Sequence, residues 1–180
     1  MVARTILTYD GMEAAPNDGL RRELLGGDLY VSPAPSLNHQ RVVGKLFVVL
    51  DAYAERHGGE AFASPVDVVF SQVDAVQPDL VYFAPDRLSV LTKKNVQGPP
   101  SLLVEVLSPA TSDVDPGRKL ETYATYGVPE YWIIDPETRS AVAHAEPSGN
   151  RYLRAANSTD GTITAMTLPE LSFTVPKPRI

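Results

Sequence analysis

Ser101-Leu-Leu-Val-Glu-Val-Leu-Ser108 decides how this chain is read. A short run that is apolar on both faces is what a strand in the middle of a covered sheet looks like. Its one charge, Glu105, lies inside that run. An ionised carboxylate is costly to bury unless a positive group meets it. Either the strand is an edge with Glu105 in water, or Glu105 is aimed at a cation. The rest of the chain favours the second reading.

Working outward, Leu37 to His57 carries Val43, Leu46, Phe47, Leu50, Tyr53 and Ala54 at helical spacing. Ser36 fits its N-cap and Gly58 the position just past its end. Phe62 to Phe70 reads as a Val-rich strand that includes Asp67, and Asp79 to Phe83 as a second, preceded by Gln77-Pro78. A proline fits the first residue of a strand or an edge, not an interior. Ala84 to Pro100 is a connection with one short helical turn, and its bases Arg87, Lys93 and Lys94 read as loop charges in water. Beyond the polar loop Ser108-Pro109-Ala110-Thr111-Ser112, a second helix begins with Asp115 as N-cap and Pro116 at its first position. Leu120, Tyr123 and Ala124 give it an inner face, and Gly127 ends it. Tyr131-Trp-Ile-Ile-Asp135 is a further buried strand. The centre of the chain thus runs helix, strand, strand, strand, helix, strand, an α/β (α+β) arrangement with a central sheet flanked by helices.

Thr8 caps a short helix through Ala14, and Asn17-Asp18-Gly19 reads as a turn. Leu20 to Ser32 is a hairpin about Gly26-Gly27, a pair that can take the positive φ of a two-residue turn. From spacing alone, its acids Glu23 and Asp28 are exposed hairpin polarity. Ala141 to Val175 alternates in short runs that extend or cover the sheet as hairpins, and it holds His144 without recognisable chemistry.

With 180 residues, 43% hydrophobic and 21% charged, the chain fits one domain, 1–180. Residues 1–35 form its N-terminal helix and hairpin, 36–136 its core, and 137–180 a C-terminal β extension. There is no cysteine, so disulfides and thiolate zinc sites are excluded. No stretch has the apolar length of a membrane span, and no signal-peptide pattern opens the chain, which gives the expectation of a cytoplasmic protein with no membrane partner. A net charge of −6 argues against non-specific coating of nucleic acid but leaves room for a local basic rim.

If the strands of Asp79 and Glu105 are neighbours, their carboxylates meet at one end of the sheet. Two such groups repel unless a cation lies between them. Hard oxygen donors favour magnesium or manganese over zinc. His39 and His57 cannot share an ion, being about five helical turns apart. His39 stands in the first turn of its helix, either in water or near whatever that end faces. Lys119 borders the apolar stripe of the second helix. It is either a surface lysine or one whose stem lies along apolar surface and whose head reaches the strand ends.

Several stretches resemble the PD-(D/E)XK nuclease superfamily, and within it the Uma-two family of restriction-endonuclease-like proteins, long catalogued as a domain of unknown function. They are Arg22-Glu-Leu-Leu-Gly-Gly-Asp28, Asn38-His39-Gln-Arg41, Pro65-Val-Asp-Val68, Gln77-Pro-Asp-Leu80, Glu105-Val-Leu-Ser-Pro109, Asp115 to Lys119, and Tyr131-Trp-Ile-Ile-Asp-Pro136. They run in order to about residue 145. The resemblance implies a restriction-endonuclease-like core, α-β-β-β-α-β, that hydrolyses DNA phosphodiester bonds with Mg2+ or Mn2+. Asp79 and Glu105 match the metal-binding acids, and Glu23 matches an acid of the family's N-terminal hairpin, a further metal or water ligand. One departure stands out: Leu107 occupies the position where the superfamily expects a lysine. Lys119 looks like its migrated replacement, so Asp79, Glu105 and Lys119 form the implied catalytic set. His39 and Tyr123 are implied in substrate positioning. Cutting both strands together would call for a homodimer. Two rival functions fit less well: an interaction module that keeps the fold without activity, and a glycosidase using the two acids, which Lys119 and the hard-cation chemistry argue against.

Overall fold

A computed structural model describes residues 6–15, 19–108 and 116–178. Asn17 and Asp18 of the expected turn, and the expected cap Asp115, lie outside the described residues. Helix α1 (Tyr9–Glu13) starts where Thr8 Oγ1 accepts from the Gly11 N–H. Strands β1 (Arg21–Leu25) and β2 (Asp28–Ser32) form the expected hairpin, with Gly26 at φ 58° and Gly27 at φ 77°. Helix α2 (Leu37–His57) follows, capped by Ser36, whose side chain accepts from the His39 N–H. Next come β3 (Glu60–Ala63), β4 (Val68–Val69), β5 (Ala75–Val76) and β6 (Leu80–Phe83), then one 3-10 segment, Pro85–Val90. Strand β7 (Leu102–Val106) carries Glu105, and helix α3 (Pro116–Thr125) leads to β8 (Glu130–Asp135). Helix α3 closes with the Gly127 N–H on the Ala124 carbonyl and the Val128 N–H on that of Tyr123, and Gly127 has φ 72°. Strands β9 (Ser140–Ser148), β10 (Arg151–Asn157), β11 (Thr162–Thr164) and β12 (Ser172–Thr174) complete the chain.

Among the described residues, six strands form a mixed sheet in the order β10-β9-β8-β7-β6-β3. Only the β7–β8 pair is parallel, because α3 crosses between them; the other pairs are antiparallel. Strand β7 therefore lies inside the sheet, and all five of its residues are buried. Its alternation divides the core. Leu102, Val104 and Val106 face α2, where Val42, Leu46, Leu50, Tyr53, Trp132 and the β11–β12 residues Ile163 and Phe173 pack with them. Leu103 points to the opposite side with Val81, Phe83, Tyr131, Tyr123 of α3 and Leu25 of β1. Glu105 shares that second face by the two-residue period of a strand. The hairpin belongs to a smaller sheet, β2-β1-β5-β4, which covers this side together with α3. Among the described residues no helix is long and apolar enough to cross a membrane.

The strand expected over Phe62 to Phe70 is two strands in different sheets. Strand β3 pairs with β6 of the large sheet, and β4 pairs with β5 of the small one. Ser64-Pro65 stands at the break, where a proline has no N–H to give a ladder. The C-terminal hairpins do both things the alternation allowed: β9 and β10 extend the large sheet, and β11–β12 packs over its face beside β9.

Candidate active site

Strands β6 and β7 pair with Leu80 opposite Val104, so the next step along the register sets Asp79 beside Glu105. Asp79 Oδ2 accepts from the Val106 N–H at 2.7 Å, which ties it to the neighbouring strand. It also takes His39 Nε2 at 3.1 Å. Since a carboxylate only accepts, Nε2 carries the proton of that bond. His39 is positioned by Ser36, which caps α2 and points its first turn at the sheet end. The other imidazole nitrogen, Nδ1, is buried with no hydrogen-bond partner among the described residues.

Glu105 is held on its far side. Tyr123 Oη donates to Glu105 Oε1 at 3.0 Å, and Lys119 Nζ reaches the same oxygen at 2.8 Å. Helix α3 supplies both because residues four apart lie on one face. Lys119 Nζ also lies 2.9 Å from Glu23 Oε2, and the Gln77 N–H donates to Glu23 Oε1 at 2.9 Å. Glu23 is 1% exposed, so the spacing-only reading of it as hairpin polarity is overturned: its face of β1 turns onto the large sheet beside Leu25. Asp28 does stand partly exposed, paired with Arg118 at 2.8 Å.

The two remaining oxygens converge on one cation. Arg21 Nη1 lies 2.8 Å from Asp79 Oδ1, and Arg21 Nη2 lies 3.3 Å from Glu105 Oε2 and 3.5 Å from Glu23 Oε1. Three carboxylates therefore face one guanidinium and one ammonium, one negative charge in excess beside a neutral His39. Burial pushes the Glu105 carboxyl up, and Lys119 only partly offsets this against repulsion from Glu23 and Asp79. Burial also penalises Asp79 and Glu23. Yet His39, Arg21 and the Val106 N–H leave Asp79 below the usual range, and Lys119 with Arg21 does the same for Glu23. Lys119 is raised: burial opposes its charge, but Glu105 and Glu23 outweigh it. It is held as an ammonium and cannot serve as a base at neutral pH.

The donor set suits a hard divalent cation. Each acid has one oxygen fixed by the protein and one turned to a shared cationic point. Among the described residues no three acidic or histidine side chains are placed to hold one ion together.

Residues 8–176 match the family Uma2, described as "putative restriction endonuclease". The chain belongs to the Uma2 family. This Uma2 chain is also similar to a solved crystal structure, described as a "putative nuclease belonging to DUF820" from Anabaena variabilis. The two are 18% identical with a TM-score of 0.77, over 94% of this chain and 95% of that one. At that identity the likeness concerns the fold, which is a mixed α/β fold in both. No curated protein matches.

The structure of this Uma2 chain brings Glu23, His39, Asp79, Glu105, Lys119 and Tyr123 into one connected network. Leu107 is 41% exposed at the strand's end, while Lys119 is 8% exposed among the acids. Sequence reasoning missed Arg21, the residue that links Asp79 to Glu105. A signal existed: Arg21 and Glu23 are two apart in one strand and so share a face.

Proposed function

We propose that this chain is a metal-dependent endonuclease of the PD-(D/E)XK type that hydrolyses DNA phosphodiester bonds. The observation that carries the reading is the pair Asp79–Glu105, each with one oxygen anchored by the protein and one presented, and with Lys119 at the anchored oxygen of Glu105. The family's description as a restriction endonuclease supports the substrate class. Asp79 and Glu105 would hold Mg2+ or Mn2+, which would polarise a phosphoryl oxygen and make a bound water more acidic.

The chain's own residues supply the rest. The Val106 N–H and His39 fix the orientation of Asp79, so its presented oxygen has little freedom to lose. Tyr123 and Lys119 do the same for Glu105. Lys119, kept charged by two acids, orients the attacking water and offsets negative charge that grows on the phosphoryl oxygens. His39 is buried and acts through Asp79, whose orientation it sets.

The test is cleavage of supercoiled plasmid and of single-stranded DNA with magnesium, manganese or chelator, wild type beside Asp79→Asn. Cleavage that needs metal and Asp79 supports the reading. Its absence in wild type under every condition favours the second reading, an interaction module that keeps the fold. One observation speaks for that second reading: Arg21 already neutralises the presented oxygens.

A further inference from the structure

Arg21 stands where a cation shared by the two acids would have to sit. Its two terminal nitrogens divide between Asp79 Oδ1 and Glu105 Oε2, the oxygens left over once the rest of the described site has taken Asp79 Oδ2 and Glu105 Oε1. Those oxygens cannot serve an arginine and a metal ion together.

The two cations of the site are held very differently. Lys119 has a side chain 10% exposed, sits 2.8 Å and 2.9 Å from its two acids, and emerges from a helix packed on the sheet. Arg21 has a side chain 20% exposed and is the first residue of β1, following Leu20, which is half exposed. Only its contact with Asp79 is short; those with Glu105 and Glu23 are 3.3 Å and 3.5 Å. Its Nε is buried without a hydrogen-bond partner among the described residues, so the guanidinium is not fully satisfied where it lies. An arginine with one short contact, an unmet donor and a partly exposed side chain is placed to be exchanged.

We propose that Arg21 is a displaceable internal counter-cation, which holds Asp79 and Glu105 in register before a divalent ion arrives and must leave their presented oxygens for the ion to bind. It is a positioning residue, and it rests on the reading of Asp79 and Glu105 as metal ligands. Without it, the presented oxygens of two carboxylates held side by side on β6 and β7 would repel each other across the site. With it, they are preorganised, and the apparent metal affinity is reduced by the fraction of molecules in which the arginine occupies the site. Metal entry and arginine release are then one exchange of cations.

The deciding experiment is calorimetric titration of Mn2+ into the full chain, comparing wild type with Arg21→Gln and Arg21→Lys. Arg21→Gln should bind Mn2+ on the order of tenfold tighter than wild type while melting at a lower temperature without metal. Arg21→Lys, with one point of contact in place of a fork, should fall between. A merely structural arginine gives the opposite result, since loosening the site weakens metal binding. Unchanged or weaker affinity in the variants, with wild type binding Mn2+, overturns the proposal and leaves the nuclease reading intact. No binding by wild type or either variant overturns both. Should neither variant fold, the wild type decides: the Arg21 guanidinium nitrogen resonances must shift on saturation with Mg2+, and an unmoved signal overturns the exchange.

Discussion

Lys119 Nζ lies 2.8 Å from Glu105 Oε1, although the two residues stand on different elements fourteen positions apart. Two residues on from Glu105, just past the end of β7, stands Leu107, which is 41% exposed and apolar. The helix thus delivers to the carboxylate the charge that the strand lacks.

Lys119→Ala should lower DNA cleavage on the order of a hundredfold, as expected for loss of one preorganised charge. A surface lysine could be removed at little cost to stability. Lys119 is instead 8% exposed between two acids, so its loss should also destabilise the fold by about 3 kcal/mol. Adding Leu107→Lys to that variant should recover part of the activity. Plasmid nicking rates and melting curves of the three proteins check this; full activity in Lys119→Ala counts against the migrated lysine.

Glu105→Gln should fold and be inactive, since the amide keeps an oxygen for Tyr123 while losing the charge. Removing that charge balances the site, two acids against two cations, so stability should hold or rise. Glu105→Leu should be worse by about 1–3 kcal/mol, because the buried Tyr123 hydroxyl and Lys119 then lose an acceptor. Chemical denaturation separates the two. A Glu105→Gln protein that cleaves at the wild-type rate contradicts the assignment.

Stability should vary with pH in two opposed ways. Asp79 and Glu23 lie below their ordinary values of 3.8 and 4.5 in the folded protein, so the native state binds fewer of their protons. Their contribution is present above those values and is lost as pH falls through the folded ones. Glu105 is raised above 4.5, so its charged form costs stability above its folded value, and that cost is relieved as pH falls toward 4.5. Glu105→Gln removes the compensating relief. As pH falls toward 4.5, wild type should therefore gain stability that Glu105→Gln does not, and below 4.5 both should lose it. Parallel curves would show that Glu105 does not titrate as its burial requires.

Much of this was legible because local patterns and the fold agree. The Leu102–Val106 run is buried on both faces, and α2 keeps its bounds and its Ser36 cap, though Phe47 of its stripe is only partly buried and Val42 joins it. Asp79 and Glu105 are readable as a pair because consecutive strands are most often neighbours. The division at Ser64-Pro65 was less visible, since Val66 to Phe70 continues the β-branched composition across it. Glu23 and Arg21 were hidden for a different reason. Alternating polar residues in a hairpin look solvent-facing, and only the docking of β1 on the large sheet buries them. Arg21 meets its partner Asp79 across 58 residues, a distance at which spacing carries no signal.

Glu130 offers a control that separates structure from chemistry. It is fully buried at the start of β8, accepts from Trp132 Nε1 at 2.6 Å, and takes the Met166 and Thr167 N–H groups. It pins the segment after β11 to the sheet and touches none of the site acids. Glu130→Ala should destabilise by about 3 kcal/mol by leaving those donors unmet. Its metal affinity, measured by calorimetry at a temperature where the variant is folded, should match that of wild type.

The most direct measurement is the melting temperature with and without millimolar Mg2+ or Mn2+, for wild type and Asp79→Asn. Asparagine keeps an oxygen for the Val106 N–H and removes the charge that a cation needs. An ion that binds only the folded state stabilises it by about 2.7 kcal/mol at a hundred times its dissociation constant. Wild type should therefore melt several degrees higher with metal, and Asp79→Asn should show little or no shift. A wild-type melting temperature indifferent to both ions, or an equal rise in Asp79→Asn, would contradict the Asp79–Glu105 pair as the metal-binding centre.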